Sequence, residues 1–143
     1  HTLDGVVVFE VQENSDITFR LYDWDRTDKK TGKPRELQVK EALACVDYDQ
    51  INVGPVTPEP GEPPVLLRSA YFIVWRHQKV DPFKVGKADE PRILVCINGS
   101  GRLNFGQEAY EVSKGQVFLL PAQTGECVFE AAGEIELLEI GIP

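Results

Sequence analysis

Short blocks of alternating hydrophobic and polar residues fill most of this chain, and the period of alternation changes part-way along it. Val6-Val7-Val8-Phe9 is a β-branched and aromatic run, and Ile17 to Trp24 alternates with period two. Gln12 to Asp16 between them has turn composition, so the two segments predict an antiparallel hairpin. Lys29 to Pro34 reads as a solvated loop. Glu36 to Val46 then sets Leu37, Val39, Ala42, Leu43 and Val46 at helical spacing. Two strands and one short helix bury too small a core to fold alone.

A Pro-rich tract opens at Gly54 and runs to Pro64, with five prolines in eleven residues. Proline cannot donate to a sheet ladder or continue a helix, so this is a semi-rigid connector. It divides the chain into residues 1–53, the tract 54–64, and residues 65–143. In the last part seven short strands are predicted: Leu66–Trp75, Ile93–Ile97, Arg102–Phe105, Ala109–Val112, Val117–Leu120, Cys127–Phe129 and Ile135–Ile140. Asn98-Gly99-Ser100-Gly101 and Ser113-Lys114-Gly115 are the clearest turns between them. The prediction is all-β, a small sandwich or barrel.

The 143 residues suffice for one compact domain plus a remainder, and 42% apolar with 27% charged residues is ordinary globular composition. A net charge of −8 argues against nucleic acid or an anionic membrane as partner. No run approaches the roughly 20 apolar residues that span a bilayer. No basic-then-apolar segment opens the chain. Residue 1 is His rather than Met, so a native N-terminus that is missing or processed is the expectation. Cys45, Cys96 and Cys127 are odd in number and lack metal-type spacing, so three reduced thiols and a cytoplasmic location are the expectation.

Candidate chemistry concentrates between Asp16 and Arg26. Alternation puts Asp16, Thr18, Arg20, Tyr22, Trp24 and Arg26 on one face, with Ile17, Phe19 and Leu21 on the other. Two readings stay open: a surface strand with its polar face in water, or a barrel wall whose guanidiniums meet an anionic ligand. Arginine suits a phosphate because its planar fork bonds two oxygens and keeps its charge. Of the two histidines, His1 is terminal and His77 reads as a solvated residue at a strand end. A catalytic zinc needs about three protein ligands, which this chain does not evidently supply. Gly99-Ser100-Gly101 is followed by strands rather than a helix and is no nucleotide loop.

Phe9-Glu10-Val11-Gln12-Glu13-Asn14-Ser15-Asp16-Ile17-Thr18-Phe19-Arg20-Leu21-Tyr22-Asp23-Trp24-Asp25-Arg26 resembles the type I mannose-6-phosphate isomerases of bacteria, as do His1-Thr2-Leu3 and Gly32-Lys33-Pro34-Arg35-Glu36-Leu37. Residues after the Pro-rich tract resemble the same family's C-terminal cupin in outline, through Ile97 to Gly101 and Gly115 to Pro121. The resemblance implies a C-terminal cupin jelly roll at 65–143, free of metal, preceded by a hairpin and short helix left from a catalytic cupin at 1–53. It implies a zinc-dependent interconversion of mannose 6-phosphate and fructose 6-phosphate. His1 is then a zinc ligand, Arg20 the catalytic arginine and Arg26 a second basic group at the substrate. The partners implied are a phosphorylated hexose and the missing N-terminal part of the same protein, which holds the other zinc ligands. This piece alone is then expected to be inactive. No His-x-His occurs in the second part, and Glu126 stands where a metal-binding cupin would carry a histidine after Pro121. The alternative is a non-catalytic cupin module that binds a sugar or packs against a partner.

Overall fold

A computed structural model describes residues 5–50, 54–61 and 63–143. The chain divides into two units, His1–Gly54 and Pro55–Pro143.

Among the described residues of the first unit one helix forms, α1 (Val39–Ala44), with Ala42 buried. It is shorter than the periodicity of residues 36–46 predicts. Gln38 at its start makes no side-chain cap because its amide oxygen accepts the N–H of Arg20 instead, at 3.1 Å. The antiparallel pairing expected between Val6–Phe9 and Ile17–Trp24 is not formed among the described residues. Both segments run without a sheet partner, and Val7 is fully exposed. A hairpin needs a covered face as well as a ladder, and this unit buries too little to cover one. Among the described residues an antiparallel bridge forms instead between Thr27 and Pro34.

The second unit is all-β. Its strands are β1 (Val65–Arg68), β2 (Ile73–His77), β3 (Phe83–Val85), β4 (Arg92–Asn98), β5 (Ser100–Phe105), β6 (Glu108–Ser113), β7 (Val117–Leu120), β8 (Cys127–Ala131) and β9 (Glu136–Gly141). One antiparallel sheet runs β1-β2-β9-β4-β7, and the other runs β3-β8-β5-β6. Between them lie Leu94, Cys96, Leu103, Val112, Phe129 and Leu137, all at or below 3% exposure. On β4 a spacing of two turns Leu94 and Cys96 inward together, and Leu137 of β9 lies opposite Cys96.

The segment read as one strand, Leu66–Trp75, is two. Ser69 folds it back: its hydroxyl oxygen accepts the N–H groups of Tyr71 and Phe72 at 3.1 and 3.0 Å, and its own N–H donates to the Phe72 carbonyl. A serine can build such a turn through its side chain without glycine or proline, which left no compositional mark. The three-residue β3 was also not predicted; it pairs Phe83 with Phe129 and adds a stacked ring contact at 5.2 Å. Gly99 turns β4 into β5 with φ +82, and an added Cβ would meet the Glu134 carbonyl.

A polypeptide of residues 55–143 is expected to unfold in one cooperative thermal transition, because it holds both sheets and the apolar cluster between them. Circular dichroism showing no transition would place the domain boundary elsewhere.

Candidate active site in the first unit

Arg20 and Arg26 line one cavity of about 420 Å³, together with Arg35, Asp23, Tyr22 and Trp24. Phe19 and Leu21 line it too. The segment is not a paired strand, so its two faces are not segregated as period two would require.

Three local devices hold the arginines. Gln38 clamps the Arg20 backbone from both sides: its side chain accepts the Arg20 N–H, and its own N–H donates to the Arg20 carbonyl at 2.9 Å. The Arg20 guanidinium donates to the Glu36 carbonyl at 3.4 Å and lies 3.9 Å from the Asp23 carboxylate. Next, Asp28 closes the loop between Arg26 and Arg35. Its carboxylate accepts the N–H groups of Lys30 and Thr31 at 2.9 and 2.8 Å, and its N–H donates to the Lys33 carbonyl. Gly32 supplies the left-handed residue, φ +67. The loop returns Arg35 to Asp23, where its fork bonds both carboxylate oxygens. That bond holds the Asp23 carboxyl below its ordinary range, with Arg20 and Arg26 acting in the same direction. Arg35 is raised by the same contact. Finally, Asp23 to Arg26 forms a turn with the Arg26 N–H donating to the Asp23 carbonyl at 3.0 Å.

Arg20 and Arg26 were legible in the sequence as two cations on one segment. Asp23, Arg35 and Gln38 were not identified as site residues, although Arg35 lies in the quoted Gly32-to-Leu37 motif. His1 lies outside the described residues. Among those described, no three His, Cys, Asp or Glu side chains converge as a metal site requires. They do not by themselves make a zinc site.

The second unit holds a different polar cluster, and it corrects the reading of His77 as a solvated edge residue. His77 is 2% exposed, stacked on Phe83 at 4.8 Å, with its Nε2 2.8 Å from Glu139. The other Glu139 oxygen accepts the Gly86 N–H at 2.9 Å and lies 3.4 Å from Arg92 Nε. Arg92 also donates to Glu90 at 2.9 Å and sits over the Trp75 ring at 5.0 Å. Each group has a protein partner, as buried charges require. Glu126 lies at the surface, paired with Lys84 at 2.9 Å. The three cysteines are free, and burial pushes the thiols of Cys96 and Cys127 up, away from the reactive thiolate.

The two-sheet second unit has the architecture of the cupins. A cupin-2 domain protein from Shewanella frigidimarina matches the chain in fold alone, at 12% identity and a TM-score of 0.50, over 71% of this chain and 98% of that one. The family model "Mannose-6-phosphate isomerase, cupin domain" matches residues 65–140, and the chain belongs to that family. Mannose-6-phosphate isomerase ManA of Bacillus subtilis is 34% identical over 135 residues, 91% of this chain and 42% of that protein. A mannose-6-phosphate isomerase of Streptococcus mutans is 28% identical, over 94% of this chain and 42% of its own length. A crystal structure of the mannose 6-phosphate isomerase from Bacillus subtilis superposes with a TM-score of 0.68 at 28% identity, over 90% of this chain and 41% of that one. The chain thus spans about two fifths of the length of these curated relatives. No helix among the described residues is long and apolar enough to cross a membrane.

Proposed function

We propose that this chain is part of an aldose–ketose isomerase that interconverts mannose 6-phosphate and fructose 6-phosphate in the cytoplasm. The observation that carries the reading is the convergence of Arg20, Arg26 and Arg35 on one cavity in a protein of net charge −8. An acidic protein that handles an anionic substrate must concentrate its positive charge locally. In this reading Arg26 holds the phosphate. Arg20 faces the sugar, where a proton moves between adjacent carbons through an enediol and negative charge develops on oxygen. Arg35 answers Asp23 and fixes the wall that Arg20 stands on. Zinc, with His1 as one ligand, belongs to the whole enzyme in the same proposal, on the strength of the family resemblance.

The 143-residue chain is expected to show no turnover, and the whole protein that contains it is expected to turn over and to carry one zinc. A coupled assay and metal analysis on both preparations test this. Turnover by the chain alone at the rate of the whole protein would refute the division of the site. A whole protein with no turnover and no zinc would favour the non-catalytic module.

A further inference from the structure

Trp24 sits in the turn Asp23 to Arg26 with φ +53, followed by Asp25 at φ +52. Aspartate tolerates this left-handed conformation, whereas a bulky indole in it is an outlier. Such strain persists where the surroundings impose it, and it clusters at ligand sites. The surroundings here are the Asp23–Arg35 fork on one side and the Asp23 to Arg26 hydrogen bond across the turn. The result is that Trp24 and Tyr22 meet edge to face at 5.2 Å on the wall of the arginine cavity. Both residues remain more than half exposed. An exposed aromatic pair beside guanidiniums offers a flat apolar surface within reach of an anion site.

We propose that Tyr22 and Trp24 form a subsite for the C–H-bearing face of a sugar ring, while the arginines take its anionic group. This rests on the reading of the cavity as a sugar-phosphate site, and adds to it the residues that separate a sugar phosphate from phosphate itself. A hexose ring presents apolar C–H groups on its face and hydroxyls at its rim. Covering that face with an indole removes apolar surface from water, and the electron-rich ring face suits the slightly positive C–H hydrogens.

The test titrates the 143-residue chain with inorganic phosphate and, separately, with mannose 6-phosphate, following the Trp24 indole N–H by NMR beside that of Trp75. The sugar phosphate is expected to bind about tenfold tighter, as covering roughly 50 Å² of apolar face would produce, and to shift the Trp24 signal. Trp24→Phe keeps an aromatic face and should keep most of the preference. Trp24→Gly should bring the two affinities together without lowering the melting temperature, because glycine accepts the left-handed turn. Equal affinities in the unaltered chain, with phosphate still bound, overturn the aromatic subsite and leave the arginine site standing. Binding of neither ligand overturns both.

Discussion

Turnover by the whole enzyme is expected to fall roughly a hundred- to a thousand-fold when Arg20 is replaced by Lys, although the charge is kept. Arg20 is held at its backbone by Gln38 and at its guanidinium by the Glu36 carbonyl, with the Asp23 carboxylate 3.9 Å away. Those contacts set the plane of the fork before substrate arrives. Lysine carries a rotatable point charge and cannot present two fixed donors. Where the contact strengthens with charge that develops only in the enediolate, its loss lowers kcat and kcat/KM together and leaves KM nearly unchanged. Steady-state kinetics on the two proteins decide the matter. A raised KM with unchanged kcat would make Arg20 a substrate-holding group, and no change in either would make it a solvated surface residue.

Glu139→Ala is expected to destabilise the second unit by about 3–5 kcal/mol, the usual cost of removing one partner from a buried charge pair. Glu139 is 6% exposed and serves His77, the Gly86 N–H and Arg92 at once. Its removal leaves the Gly86 N–H without its acceptor, and Arg92, 4% exposed, with Glu90 as its remaining carboxylate. Glu126→Ala is the control. Glu126 pairs with Lys84, but both are largely exposed, so its loss should stay within about 0.5 kcal/mol. Urea unfolding of the two variants measures both. Equal small losses would mean that water reaches the Glu139 cluster and that the pair contributes nothing measurable.

The division of labour between sequence and tertiary structure follows from how far each signal reaches along the chain. The strands β4 to β9 were legible to within one or two residues. Short apolar or β-branched runs such as Ile93 to Ile97 and Val117 to Leu120 are a property of neighbours, and glycines at the turns interrupt them. Arg20 and Arg26 were legible for the same reason, as cations an even number of residues apart on one segment. The burial of His77 was not. Histidine, glutamate and arginine read as surface residues one at a time, and only the packing of β2, β4 and β9 joins them into a set whose polar groups find partners in one another. The split at Ser69 escaped because a serine side chain can build the turn that glycine or proline would have announced. The arginine cavity divides along the same line. Residue type and spacing named two of its cations, while Arg35 met Asp23 only when the Asp28 loop closed, and Gln38 met the Arg20 backbone only where α1 begins. The hairpin at 6–24 marks the opposite limit. Strand composition is local, but pairing needs a second ladder and a covered face, and the described residues of the first unit provide neither.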